Sequence, residues 1–195
     1  MDHPTGEELA RRLVVGLGNP GRRYQDTRHN IGYRVVEAFL ARHDARAEQR
    51  RFRGLMGELI LGGRRVTVLK PETYMNVSGE AVGEAIRWLK LSPAELLVVC
   101  DCIDLPAGRL RLRTPGSHGG QKGLASVLTV LGTDEVPRLR IGIGRDEGID
   151  PADYVLMKFN EADAAWLAET IPAAVQAVET WIAAGPHAAM NETNG

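Results

Sequence analysis

His29 is the side chain around which chemistry is most readily arranged, because imidazole alone titrates near neutral pH without a large shift. A carboxylate that accepts a bond from one ring nitrogen would set the tautomer and leave the other nitrogen free to take a proton. Asp101, directly after the apolar run Leu96–Cys100, is placed to be that carboxylate. Asn19 and Asn76 each offer a donor and an acceptor, which suits the orienting of a carbonyl and a water. No Gly-x-Ser-x-Gly elbow occurs and neither cysteine has an obvious base, so activated water is the simpler nucleophile. Each residue also has an ordinary reading. A histidine near a helix start is often structural, loop asparagines bond to backbone, and Asp104 before Leu-Pro fits turn chemistry.

The stretch LVVGLGNPGRRYQDTRHNIG, residues 13–32, delivers most of these groups. It opens as a buried strand and breaks at Gly16, Gly18, Pro20 and Gly21, which present Asn19, then Tyr24, then His29 with Asn30. Gly16, Gly18 and Gly21 match G-x-G-x-x-G literally. That motif needs a helix opening straight from the glycines, whereas RRYQDTR has no apolar helical face, so a dinucleotide site is not the preferred reading.

The elements that must hold these groups follow from periodicity. An apolar first strand over 12–16 precedes an amphipathic helix over 29–42, and residues 44–51 read as a solvated linker. Gly62-Gly63 joins two strands as a hairpin. Ser78 is expected to cap a helix over 79–91, and Ser92-Pro93 to start a short turn. The run Leu96–Cys100 is a central strand, followed by an alternating strand over 108–113, a glycine loop, a helix over 123–131 ending at Gly132, and a strand over 138–144. Asn160 is expected to cap a long helix kinked by Pro172. The reading is one α/β domain over 12–185, with a mostly parallel, mixed, twisted sheet flanked by helices on both faces. Residues 1–11 form an N-terminal extension and 186–195 a poorly ordered tail. Ligands of such sheets sit beyond the carboxyl ends of the strands.

Composition narrows the partners. The 195 residues carry a net charge of −1, so any contact with nucleic acid must use local positive charge. Arg109, Arg111 and Arg113 alternate, as do Arg138 and Arg140, and alternate strand residues lie about 7 Å apart, near the phosphate spacing of a nucleic-acid strand. The same arginines would also serve as a charged edge against aggregation. Cys100 and Cys102 read as reduced core thiols, and the five histidines show no metal-ligand spacing. No stretch has the length of a membrane span or the pattern of a signal peptide, so a cytoplasmic location is expected.

Together VGLGNPGRRYQDTRHNIG, KPETYMNVSG, DCIDLPAG, GSHGGQKG and RLRIGIG resemble bacterial peptidyl-tRNA hydrolase, from about Leu13 to Gly185. The resemblance implies a single α/β domain that hydrolyses the ester joining a peptide to the 3′ ribose of tRNA. It implies His29 as base, Asp101 as its support, Asn19 as a peptide contact, Asn76 as a substrate-orienting amide and Met75 as cleft lining. Tyr24 and Tyr74 match positions that contact the tRNA end, and Arg111, Arg113 and Arg140 match basic tRNA-binding positions. It implies no metal or cofactor; no membrane partner is expected, and the chain is expected to be a monomer. Two positions depart from the family pattern: Cys102 replaces a glutamate, and Gln121-Lys122 replaces His-Asn. Lysine donates but cannot accept, so Lys122 is expected to retune the site by pairing with a 3′-terminal phosphate, with Gln121 supplying the lost acceptor. The alternative is a non-catalytic RNA-binding relative of the same fold.

Overall fold

Leu13, Val14 and Val15 put apolar side chains on alternate sides of β1 (Arg11–Gly16), and the sheet is built outward from that strand. The computed structural model describes residues 9–195, so most of the expected N-terminal extension lies outside the described residues, and Arg11 already belongs to β1. β4 (Arg64–Pro71) and β5 (Leu96–Cys102) flank β1, both parallel to it. β7 (Arg138–Gly142) lies parallel to β5, and β6 (Leu110–Arg113) closes that edge antiparallel. On the other side β3 (Gly54–Leu61) turns onto β4 through Gly62 and Gly63, both at positive φ, and β2 (Gln49–Arg51) forms the outer strand. The order β2-β3-β4-β1-β5-β7-β6 therefore confines the parallel pairings to the middle, with antiparallel strands at both edges.

Helices cover both faces, as the sequence requires of a sheet buried on two sides. α1 (Ile31–Arg42) and α5 (Glu161–Asn194) pack with Val14, Leu97 and Leu139 on one face. α2 (Ser78–Leu89) and α3 (Lys122–Leu131) pack with Leu13, Val15, Leu96 and Val98 on the other. A short helix, α4 (Pro151–Leu156), follows β7. α1 reaches the sheet through glycines: a Cβ on Gly16 would lie 2.4 Å from the Gly32 carbonyl oxygen, and one on Gly32 2.4 Å from that of Val99. Of the three glycines in the literal nucleotide-binding pattern, Gly16 is thus accounted for by close helix–sheet approach, Gly18 by the Tyr33 ring of α1 packed against it, and Gly21 by its positive φ of 98°.

Four local expectations are corrected. Residues 44–51 are not only linker, because 49–51 pair with 54–56 as β2. Ser78 does not cap α2; a 3₁₀ turn over Met75–Val77 runs straight into the helix, and the Ser78 hydroxyl donates back to the Met75 carbonyl at 2.9 Å. Asn160 does cap α5, yet Pro172 does not interrupt it; the helical path breaks at Gly185, at φ 82°. Beyond Gly185 the expected tail is helical to Asn194, with Ala189 buried. The Asn194 amide accepts from the Leu112 N–H and donates to the Leu112 carbonyl, both at 2.9 Å. An edge strand otherwise leaves those backbone groups without a protein partner, which gives the last turn a reason to dock.

Candidate active site

Beyond the carboxyl ends of β1, β4 and β5 lies a cleft of about 630 Å³, open to solvent on one side. Asn19 enters it from the loop after β1 and is 7% exposed. Asn30 clamps its backbone: Asn19 N–H donates to Asn30 Oδ1 at 2.8 Å, and Asn30 Nδ2 donates to the Asn19 carbonyl at 2.9 Å. The Asn19 side-chain oxygen accepts from the Met75 N–H at 2.9 Å. Its Nδ2 has no hydrogen-bond partner among the described residues, so Asn19 can face a ligand as a donor.

His29 sits in the 3₁₀ turn Arg28–Asn30 that leads into α1, and its Nδ1 lies 2.9 Å from Asp101 Oδ1. Both are buried, at 8% and 2% exposure. A carboxylate can only accept here, so Nδ1 carries the proton and Nε2 is the free base. Arg28, next in the chain, turns away from the cleft, pairing with Asp163 at 2.8 Å, while its backbone N–H donates to Met157 O at 2.9 Å. The turn that carries His29 is thereby tied to the segment just after α4.

Gln121 and Lys122 arrive at the amino end of α3. Gln121 caps the helix, its Oε1 accepting from Leu124 N–H at 2.6 Å, and its Nε2 donates to Asp101 Oδ1 at 3.0 Å. The expectation that Gln121 supplies a spare acceptor is therefore corrected, because that oxygen closes the helix end. Lys122 is exposed in the cleft wall and has no ion-pair partner among the described residues. Asn76 lies in the 3₁₀ turn, exposed to the cleft, with no side-chain hydrogen bond among the described residues. Met75 is buried beneath it, and Tyr74 stands at the rim, 60% exposed.

Of the residues singled out from sequence, Asn19, His29, Tyr74, Met75, Asn76, Asp101 and Lys122 share this cleft. Tyr24 does not; its ring lies under the Arg23 guanidinium, 4.4 Å from the ring centroid, in the loop before His29. Arg111 and Arg113 are exposed on β6, outside the cleft lining. Arg140 stands opposite Arg111 in the sheet register and reaches toward Gly119 in the cleft's glycine loop, with Asp104 at 3.8 Å. Arg138 is buried, its guanidinium donating to the Asp134 carbonyl at 2.9 Å and to that of Gly116, and burial lowers its pKa. It holds the glycine loop rather than facing a ligand.

The α4 wall is absent from the sequence reading of the site, which gives Asn30 only as an amide presented with His29 and Gln121 only as a spare acceptor. Asn30 had a readable signal, an amide beside the candidate base, and Asp150-Pro151 is a readable cap and first-turn pair, with Asp150 Oδ1 accepting from Ala152 N–H at 2.8 Å. Cys102 lines the cleft, while Cys100 is fully buried and its thiol is pushed up, first by burial and then by the Asp101 charge. Among the described residues no group of three His, Cys, Asp or Glu side chains is arranged to hold a metal ion. What the arrangement can do is take a proton from a water at His29 Nε2, beside amide donors that can bind a carbonyl oxygen.

A family model described as peptidyl-tRNA hydrolase matches residues 13–195. The chain is 51% identical to a peptidyl-tRNA hydrolase of Symbiobacterium thermophilum over 186 residues, 94% of this chain and 98% of that one. It is 49% identical to that of Chloroflexus aggregans, over 93% of this chain and 98% of the other. The crystal structure of the Acinetobacter baumannii peptidyl-tRNA hydrolase superposes with a TM-score of 0.88 at 32% identity, covering 97% of this chain and 98% of that chain. With a match spanning almost the full length and relatives of this similarity, the chain belongs to the peptidyl-tRNA hydrolase family.

Proposed function

We propose that this protein hydrolyses the ester between a peptide and the 3′ ribose of tRNA, and that His29 and Asp101 activate the attacking water. The observation that carries the reading is the buried His29–Asp101 pair, at 2.9 Å, opening onto a cleft that also holds Asn19 and Asn76. His29 Nε2 takes a proton as water oxygen bonds to the ester carbonyl carbon. The carbonyl oxygen becomes an oxyanion, for which Asn19 Nδ2 is the available donor. Collapse of the tetrahedral intermediate breaks the bond to the ribose oxygen, which leaves with the proton held by the imidazolium. The products are free tRNA and a peptide carboxylic acid, which ionises in water. Asp101 stabilises the imidazolium between the two transfers.

The rest of the substrate is assigned by charge and shape. Tyr74 offers an aromatic face at the rim for the terminal base, and Lys122 a cation for the last phosphate. Arg140, Arg111 and Arg113 continue the positive charge along one sheet edge, suited to the acceptor stem. Tyr24, expected as a further contact, receives no support from its position under Arg23. No helix among the described residues is long and apolar enough to cross a membrane, and the reading is of a monomer acting in the cytoplasm.

The test is cleavage of an N-blocked aminoacyl-tRNA by the purified protein, with His29→Ala alongside. Turnover by the wild type, reduced at least about a hundredfold in the variant, is expected of a general base. Tight tRNA binding without cleavage would instead identify a non-catalytic RNA-binding relative.

A further inference from the structure

Asp101 Oδ1 accepts two hydrogen bonds, from His29 Nδ1 at 2.9 Å and from Gln121 Nε2 at 3.0 Å. Gln121 is 7% exposed and fixed at each end of its amide. Its Oε1 is taken by Leu124 N–H at 2.6 Å, its Nε2 also touches Met75 Sδ at 3.3 Å, and its own N–H donates to the His118 carbonyl at 3.1 Å. An amide whose oxygen closes a helix end cannot flip without breaking the cap, so its NH₂ is held toward the carboxylate.

We propose that Gln121 is a positioning residue of the hydrolytic site: a neutral donor that orients Asp101 toward His29 and joins that carboxylate to the amino end of α3. The inference rests on the hydrolytic reading, in which His29 is the base. The consequence is geometric: the second donor fixes the carboxylate rotamer, so the imidazole is aimed by a group that is itself held.

The other ionisable groups around the pair are accounted for. Tyr74, Cys102, Lys122 and Asp150 share the cleft, and none is hydrogen-bonded to the Asp101 side chain among the described residues. Cys100 lies beside Asp101 on β5 and is kept neutral by burial, and Arg28 is engaged with Asp163. Among the described residues Lys122 is the one Lys or Arg of the cleft lining, and a substitution at Gln121 leaves its charge in place.

Gln121→Met keeps the length and volume of the side chain and removes the donor. It also removes the helix cap, so a lower melting temperature decides nothing; the deciding readouts are the His29 Nδ1–H resonance by NMR and the split between kcat and KM. The expected result is a shifted, exchange-broadened Nδ1–H signal and a kcat about tenfold lower with KM within about twofold. Gln121→His restores a ring N–H for Asp101 and a ring nitrogen that can accept from Leu124, and is expected to bring kcat back to within about threefold. An unchanged His29 Nδ1–H signal in Gln121→Met, or a folded Gln121→His no better than Gln121→Met, overturns the proposal. Because the Nδ1–H signal needs no substrate, it reads the role of Gln121 even where an inactive wild type would sink the hydrolytic reading itself.

Discussion

Replacing Asp101 by asparagine removes one charge from the cleft and changes the shape of almost nothing. Asp101 is 2% exposed, and its Oδ1 is the shared acceptor of His29 Nδ1 and Gln121 Nε2. An asparagine that places its oxygen in the same position keeps both bonds, with its NH₂ where the second carboxylate oxygen stood. What is lost is the attraction between the carboxylate and the imidazolium that forms as water is deprotonated. Two unit charges about 4 Å apart attract by about 4 kcal/mol at an effective dielectric of about 20. The neutral amide oxygen retains part of that as an ordinary hydrogen bond, leaving a loss of about 2–4 kcal/mol in the barrier. That corresponds to a fall in kcat of roughly 30- to 1,000-fold. Steady-state cleavage of N-blocked aminoacyl-tRNA at pH 7.5, with urea denaturation to establish that the variant is folded, measures it. KM is expected to stay within about twofold, since in the proposed complex Asp101 touches the base and not the substrate. A folded Asp101→Asn protein with kcat within about threefold of wild type would refute the electrostatic argument.

Asn30→Ala removes both bonds that clamp the Asn19 backbone, at 2.8 and 2.9 Å. It should cost about 1–3 kcal/mol in urea denaturation and weaken hydrolysis of N-blocked substrates through a misplaced Asn19 donor, while a variant of full stability would show the clamp to be dispensable. Removal of residues 186–195 takes the Asn194 amide off the backbone of Leu112, beside Arg111 and Arg113. A several-fold rise in KM for full-length tRNA substrate, with kcat nearly unchanged, is expected, together with a greater tendency to associate seen by light scattering. Cys100 supplies a pH prediction. Burial raises its thiol pKa, so above about pH 8.5, the ordinary thiol value, the unfolded chain loses a proton that the native chain retains. Stability should therefore fall as pH rises from there, by up to about 1.4 kcal/mol per unit, and Tyr33, also raised by burial, adds to the slope only above about pH 10. In Cys100→Ala the slope between those values should flatten, and equal slopes in the two proteins would contradict the assignment.

Much of this molecule is legible along the chain because its causes are local. Gly62-Gly63 makes a hairpin since two adjacent residues at positive φ suit glycine, and Asn160 caps α5 since its acceptor lies two and three residues from the N–H groups it satisfies. The apolar run of β5 announces a strand buried on both faces. The same local signs placed Asn19, Met75, Asn76 and Asp101 at element ends where a cleft could form. His29 and Asp101 are 72 residues apart, and their pairing was expected from chemistry and family resemblance rather than from periodicity.

The tertiary structure decided the roles that depend on which atoms are already engaged. Asn19 is a donor to the cleft because Met75 takes its oxygen, and Gln121 is a donor to Asp101 because Leu124 takes its oxygen. Tyr24 falls outside the cleft, and residues 186–194 become an ordered cover for the β6 edge. None of these could be read from composition or spacing. A side chain's second hydrogen bond is set by segments brought together only when the sheet closes, and the chain between them carries no periodic trace of it.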